Sequence, residues 1–323
     1  MPAEVKRRAE VLLGAEIARA LRVWGGYAPS ATFRLFLADG RRAVFKGTYR
    51  TSNDVMLRAI RDEERVYREL EPLIGLWAPT FFGSLEFEDW FVILLEDLGA
   101  PQVPPWTSRR AAAALRDYAR FHSATLGRTD LPAWLRTDRH HSFARTWRNL
   151  AETAGGLDGT ARLAGARADA AREWLAQHID RLCTTAERLI GIDQPRALLH
   201  FDTRSDNLRI QNGRLRMFDW PYTCLGPHEF DMVAFAQSIT TEGGPAPERC
   251  VRWYAEVIDV REEALTASIA TIAGYFADRA WQPPIPGLPR VRSIQRRQLR
   301  TSLAWCARHL GLPEPTWLTA IPD

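Results

Sequence analysis

The stretch LLHFDTRSDNLRI, residues 198–210, sets six consecutive polar or charged residues between two apolar segments. Within it Asp202 and Asn207 stand five apart, and Asp219 follows in LRMFDW. Gln211-Asn212-Gly213 reads as a hairpin turn, so LRI runs out, LRMFDW runs back, and Asp219 returns close to Asn207. A carboxylate and an amide oxygen held together are hard ligands of the kind Mg²⁺ takes beside substrate phosphates. Asp202 is then placed to accept the proton of a hydroxyl and to orient the alcohol. Those are the parts that phosphoryl transfer requires, because positioning and charge neutralisation supply most of its catalysis. Taken singly, Asp202 and Asn207 are ordinary turn residues. The reading rests on their order with Asp219 and on two residues far upstream.

Of 43 basic residues only Lys6 and Lys46 are lysine; the others are arginine. A lysine retained in the apolar strand AVFKG therefore stands out, because a compact ammonium does what a planar guanidinium cannot. Alternation along Ala43-Val44-Phe45-Lys46 puts Lys46 on the face of Val44, where a cleft-facing ammonium needs an anionic partner. RDEERVYREL offers one. Glu63 shares a helical stripe with Val66, Tyr67 and Leu70, and Glu64 lies one step off it. Glu63 is thus the expected partner of Lys46, the pair aiming the ammonium at the α and β phosphates of a nucleotide.

These side chains need elements to carry them. Residues 3–23 read as a helix ending near Gly25-Gly26. TFRLFL (32–37), an Asp39-Gly40 turn and RRAVFKG (41–47) read as a β-hairpin. A periodic helix over 54–71 follows, then a second antiparallel pair in FFGSLEFED (81–89) and WFVILL (90–95). EDLGAPQVPPWTS (96–108) is the clearest linker. Beyond it 108–124, 138–150, 160–190, 246–275 and 290–310 read as helices, with short strands only at 197–201, 208–210 and 215–220. The fold class expected is α+β, with a small antiparallel-sheet N-terminal lobe over 1–98 binding nucleotide. A larger, mainly helical C-terminal lobe over 99–323 carries catalysis and the acceptor.

This constellation resembles the protein-kinase-like superfamily. More narrowly, it resembles the aminoglycoside phosphotransferase and choline/ethanolamine-kinase type of small-molecule kinase. Such proteins carry H-G-D-x-x-x-x-N, a later I-D-[WF], and often G-D/H-x-x-[FY]-D-[LM]-A. Here these stand as HFDTRSDN (200–207), FDW (218–220) and GPHEFDMVAF (226–235). The resemblance covers roughly residues 20–310 and is strongest over 198–235. It implies a two-lobed protein-kinase-like fold using ATP and Mg²⁺. Asp202 becomes the catalytic-loop aspartate, Asn207 and Asp219 the metal ligands, and Asp231 a buried structural aspartate anchoring the loop. Lys46 and Glu63 match the strand lysine and helix glutamate. ILLEDLG (93–99) matches the hinge whose backbone groups, at Glu96 and Leu98, meet the adenine. His200 is expected to pack and hydrogen-bond beneath the catalytic loop, and His122 to be a core histidine.

The chain departs from the family in four places. Phe201 stands where a glycine is usual. Arg204 sits two after the aspartate, where protein kinases place a lysine, and is open to two roles: contact with the transferring phosphoryl group or a structural salt bridge. Asp206 replaces a common glycine and adds charge beside Asn207. GGYAPSATFRL (25–35) has no glycine over the expected nucleotide turn, leaving Ser30 and the backbone of Ala31 and Thr32 to cap the phosphates. No GxxxxGK is present, which excludes a P-loop enzyme.

Composition bounds the partners. The 323 residues and 46% apolar content suffice for a sizeable core. No uncharged apolar run of membrane-spanning length occurs, and Glu10 and Glu16 interrupt the N-terminal segment that a signal peptide would keep apolar. Four scattered cysteines make neither a metal spacing nor a disulfide framework, so a reducing cytoplasm is expected. A formal charge of +4, spread along the chain, does not call for nucleic acid. Oligomeric state is not written in the sequence. A polycationic acceptor would need carboxylates, yet residues 264–313 hold one, Asp278, against seven arginines. Glu248, Glu256, Asp259, Glu262 and Glu263 are the remaining candidates for an acidic wall, and Trp281 for an aromatic one. The function expected is transfer of the γ-phosphoryl group of ATP to a hydroxyl of a small molecule such as an antibiotic, sugar or amino alcohol. The alternative is a non-catalytic nucleotide-binding scaffold of the same fold.

Overall fold

Helix α1 (Ala3–Leu13) stops where Gly14 enters the left-handed region at φ 64°, its N–H returning to the Glu10 and Val11 carbonyls. The helix expected over 3–23 therefore ends ten residues early. The Glu10 carboxylate accepts the Ile17 N–H at 2.8 Å, and β1 (Ile17–Arg22) begins there as an edge strand. Its arginines had looked like helix surface. Arg22 and Arg19 instead lie over the Phe33 and Phe36 rings of β2 (Ala31–Leu37) at 5.1 and 5.2 Å. Strand β3 (Arg42–Tyr49), helices α2 (Asp54–Glu69) and α3 (Glu71–Ile74), and strands β4 (Phe81–Phe87) and β5 (Trp90–Glu96) follow. The sheet has the order β1-β2-β3-β5-β4 with every pair antiparallel. Val5, Ala9 and Leu13 of α1 pack with Leu35, Phe45, Val92 and Leu94 on one face. Burying each large apolar side chain there stabilises by about 1.5–3 kcal/mol. Alternation in β3 then commits Ala43 and Phe45 to that core and Val44 and Lys46 to the opposite face.

Helices α4 (Ser108–Thr125), α5 (Arg139–Ala144), α6 (Thr146–Glu152), α7 (Gly156–Arg162) and α8 (Ala168–Gly191) precede the short strand β6 (Ala197–Leu199). The hairpin β7 (Leu208–Gln211) and β8 (Arg214–Met217) comes next. Strand β9 (Cys224–Gly226) and helices α9 (His228–Thr241), α10 (Pro247–Ala255), α11 (Glu262–Arg279) and α12 (Val291–His309) complete the order. This computed structural model describes residues 1–23, 31–49, 54–192, 194–211 and 213–323. It divides into two compact units, Met1–Val103 with His200–Thr223, and Pro104–Leu199 with Cys224–Asp323. Among the described residues no helix is long and apolar enough to cross a membrane.

The segment 200–223, which the sequence reading counts with the helical lobe, packs within the first unit for a hydrogen-bonding reason. Met217 N–H reaches Trp77 O at 2.5 Å, and the Arg216 guanidinium reaches Ala78 O and the Glu96 carboxylate, each at 2.8 Å. Gln211 Nε2 donates to Leu98 O at 2.9 Å and Arg209 Nε to Gly99 O at 3.1 Å.

In the second unit α11 runs through the interior. Gly274 makes room for Trp147, whose indole N–H donates to Ala270 O at 2.9 Å. The helix expected over 246–275 is broken between α10 and α11 because Arg261 is held elsewhere. Its backbone N–H and its guanidinium, in bidentate fashion, all bond the Glu229 carboxylate. Helix α9 is absent from the sequence reading. Nearly every side chain from His228 to Ile239 is buried, so no amphipathic stripe marks it. A buried polar chain joins α4, α9 and α10. Tyr118 Oη donates to Asp231, His122 Nδ1 meets Tyr254 Oη at 2.7 Å, and Tyr254 Oη meets His228 Nδ1 at 3.1 Å.

Burial pushes His228 down to about 4, against the pull of Glu229. It is neutral in the fold and takes a proton more readily when unfolded. Its contribution to stability is thus complete above pH 6.5 and lost as pH falls towards 4, on the order of 2–3 kcal/mol. Denaturant unfolding at pH 7.5 and 4.5 tests this, and His228→Asn is expected to flatten that part of the profile. An unchanged slope in the variant refutes it.

Candidate active site

Lys46, Glu63, His200, Asp202, Arg204, Asn207 and Asp219 all lie in the first unit. Lys46 Nζ, carried inward by β3, donates to Glu63 Oε2 at 2.5 Å and to Asp219 Oδ1 at 2.6 Å. Glu63 is 1% exposed. Glu64, off the stripe, is half-buried beside Arg68 and accepts from Ser84 Oγ at 2.8 Å. Sequence reading overlooked what seats Glu63. The Trp220 backbone N–H donates to it, and the Tyr67 hydroxyl approaches Oε1 at 3.5 Å while accepting the Asp219 N–H. The signal was present, since Tyr67 stands four residues after Glu63 on the same stripe.

Burial works against the Lys46 ammonium, but the Asp219 and Glu63 charges outweigh it and hold its pKa above the ordinary lysine value. Burial likewise raises Glu63, despite the pull of Lys46. Asp219 also suffers desolvation, yet Lys46 prevails and its pKa is lowered.

The hairpin brings Asn207 and Asp219 together as its register requires. Leu208 faces Met217, and Phe218 N–H donates to Asn207 O at 2.9 Å. Asn207 Nδ2 donates to the Asp202 carbonyl at 2.9 Å and to Asp202 Oδ2 at 3.0 Å. Its donor end is thereby committed, which leaves the acceptor Oδ1 to face any ligand. No partner among the described residues takes Asp202 Oδ1. His200 is fully buried. Its Nε2 meets Phe218 O at 3.1 Å and its Nδ1 accepts the Asp202 N–H at 3.3 Å, which together define the Nε2–H tautomer. Burial pushes Asp202 up to about 7, helped by the Asp219 and Asp206 charges and opposed by Arg204 and the Asn207 hydrogen bond.

Two of these residues hold strained backbone. Phe201 and Asp219 both have φ of 71°, the left-handed region that costs an ordinary residue about 1–2 kcal/mol. The position where Phe201 replaces the family's glycine is therefore one where glycine relieves strain. Arg204 forks onto Asp206, Nε to Oδ1 at 3.0 Å and an Nη to Oδ2 at 3.2 Å, and lies 3.5 Å from Asp202 Oδ2.

Of the residues expected to form the hinge, Glu96 N–H bonds Thr80 O at 2.8 Å and the Glu96 carboxylate takes Thr80 and Arg216. Leu98 is buried; its carbonyl takes Gln211, and its N–H has no partner among the described residues. Between them Asp97, which sequence reading left without a role, accepts an Arg34 Nη at 3.0 Å and the Gly99 N–H at 2.9 Å. Ser30 lies outside the described residues. Asp231 lies in the second unit, 1% exposed, bonded to Tyr118.

Also in the second unit, Glu248 and Glu256 are paired with Arg308 and Arg116 at 2.9 and 2.6 Å, which depletes the expected acidic wall. Trp281 is half-buried against α7, where a Cβ on Gly159 would fall 2.5 Å from its ring.

As for the metal, the donor set fits. Asn207 and Asp219 offer hard oxygens, and among the described residues no cluster of three or more His, Cys, Asp or Glu side chains forms a closed cage. A two-ligand site that leaves coordination to water and phosphate is what Mg²⁺ prefers.

A search of curated proteins finds no significant match. Among solved structures the chain is similar to an amicoumacin kinase in complex with AMP-PNP, Ca²⁺ and Ami (14% identity, TM-score 0.56, covering 94% of this chain and 96% of that one). It is similar to a spectinomycin phosphotransferase in complex with ADP and spectinomycin (15%, 0.56, 98% and 96%). It is also similar to the choline kinase LicA from Streptococcus pneumoniae (14%, 0.56, 94% and 98%). At these identities the likeness shows a shared kinase-like fold, as the motifs implied. The family model of a phosphotransferase enzyme family, APH, matches residues 20–263. With well over half its length so matched, the chain belongs to the APH phosphotransferase enzyme family.

Proposed function

We propose that the protein transfers the γ-phosphoryl group of ATP to a hydroxyl of a small molecule. The observation that carries this is the single ammonium of Lys46 between Glu63 and Asp219, in the same compact unit as Asp202 and Asn207. An acceptor hydroxyl gives its proton to Asp202 Oδ1 as its oxygen bonds to the γ phosphorus. The bond from that phosphorus to the β–γ bridging oxygen breaks, and ADP leaves with the electron pair. Asn207 keeps Asp202 in register, and His200 fixes the backbone beneath it. Lys46, oriented by Glu63, steadies the α and β phosphates. Asn207 Oδ1 and Asp219 would hold Mg²⁺, which supplies charge neutralisation on the phosphates when bound. The hinge backbone at Glu96 and Leu98 receives the adenine, and Ser30 belongs to the phosphate-covering turn.

The single carboxylate, Asp278, against seven arginines over residues 264–313 favours a neutral or anionic alcohol over a polycation. The test is γ-phosphate transfer from labelled ATP across a panel of amino alcohols, sugars, sugar acids and antibiotics, with and without Mg²⁺. Product with at least one alcohol, abolished by EDTA, is expected. ATP binding with no transfer to any acceptor would instead indicate a nucleotide-binding scaffold. Asp219→Ala provides a second check by calorimetry. Metal-dependent nucleotide affinity should fall at least as far as the roughly 10–100-fold lost when a metal site loses an outer-shell partner. An Asp219→Ala variant whose affinity still responds fully to Mg²⁺ removes Asp219 from the metal site.

A further inference from the structure

Arg204 and Asp206 are two departures from the family pattern that fall two residues apart and meet. Arg204 has extended backbone, φ −140° and ψ 165°, and the following Ser205–Asn207 forms one 3₁₀ turn. That change of direction swings Asp206 back beneath the Arg204 side chain. The contact is a planar fork, two parallel N–H donors onto the two oxygens of one carboxylate at 3.0 and 3.2 Å. Of the ion-pair geometries this one fixes orientation best. It holds the guanidinium edge 3.5 Å from Asp202 Oδ2, the oxygen already taken by Asn207.

The fork decides where the positive charge sits. Asp202 is a second carboxylate within ion-pair reach of the same guanidinium, at 3.5 Å. A guanidinium closing on Asp202 would compete with the acceptor's hydroxyl for the proton-accepting group and withdraw from the phosphates. With Asp206 in place, the cation is held beside the base without capping it.

We infer that Asp206 is a positioning residue that acts through Arg204, aiming the guanidinium at the transferring phosphoryl group while keeping it off Asp202. This rests on the proposed kinase reading. Two simpler roles compete with it: Asp206 tuning a metal through its neighbour Asn207, and an exposed ion pair with no effect on ligand binding.

The deciding experiment needs no acceptor. Calorimetry measures Kd for Mg²⁺–ADP and Mg²⁺–AMP-PNP with the wild type, Arg204→Met, Asp206→Asn and the double variant, and thermal melting checks folding. Both single variants are expected to lose about five- to ten-fold in AMP-PNP affinity, the loss of one charge-assisted contact to the γ phosphate, with ADP affinity changed less than about two-fold. The double variant is expected to lose no more than either single one, because the two residues act as a unit. Arg204→Lys, which keeps the charge without the fork, should recover less than half the loss and no longer respond to Asp206→Asn.

Wild-type AMP-PNP affinity in Asp206→Asn overturns the inference. An ADP loss equal to the AMP-PNP loss also overturns it, in favour of metal tuning. Losses that add in the double variant overturn it too, because the residues then act separately. A wild type that binds neither nucleotide overturns the kinase reading itself, which is a different failure.

Discussion

Asp202→Asn is expected to lower kcat by about 10²–10⁴-fold, the usual contribution of a positioned general base, while leaving nucleotide Kd within about three-fold. The substitution is nearly isosteric. The new amide oxygen can still accept from Asn207 Nδ2, so the loop keeps its tie. What changes is the atom at Oδ1, which becomes an N–H₂ that donates and cannot take a hydroxyl proton. Arg204 keeps its fork on Asp206. Stability should move the other way. Burial pushes Asp202 up to about 7, above the unfolded value of 3.8. The folded state therefore loses stability as pH rises between those values, because the unfolded chain gives up the proton first. Asparagine has no proton to lose, so the variant should melt above the wild type at pH 8. Loss of turnover with equal or higher Tm separates a chemical role from a structural one. Retention of full kcat would mean that the proton goes elsewhere.

The placement of the candidate site residues was legible because each lay where a short periodicity locates it. Strand alternation sent Lys46 to one face, a helical stripe turned Glu63 inward, and a hairpin register returned Asp219 to Asn207. None of these needs long-range packing to be read. What stayed hidden depends on such packing. Gly14 was a local stop signal passed over, whereas β1 beyond it follows from packing, because its edge covers Phe33 and Phe36 with arginines. Helix α9 hid because a helix buried on all sides has no periodic signature. The break at Arg261 has no glycine or proline to announce it; its cause is Glu229, thirty-two residues away. Arg204 and Asp206 were visible one by one, yet their pairing required knowing that Ser205–Asn207 turns.

Lys46→Met should have the largest effect on stability and on ligand binding together. Lys46 is the ammonium shared by Glu63 and Asp219, and Glu63 is 1% exposed. Removing one partner of a buried ion pair strands the other, at a cost of about 3–5 kcal/mol. Glu63 will respond by taking a proton, since burial already raises its pKa, and that limits the loss at acid pH. A second substitution then separates the two consequences. Glu63→Gln in the Lys46→Met background removes the stranded charge. The amide oxygen can still accept the Trp220 N–H, and the side chain keeps its place beside the Tyr67 hydroxyl. Most of the lost stability should return, as read by denaturant unfolding. Nucleotide affinity should not return, because neither methionine nor glutamine supplies a cation to the phosphates. Calorimetry should show ATP binding weakened about ten-fold or more in both variants, the equivalent of one lost charge-assisted interaction. If the double variant is both stable and binds ATP like the wild type, the Lys46–Glu63–Asp219 contact is a structural ion pair, and the phosphate-binding cation must be sought among the arginines.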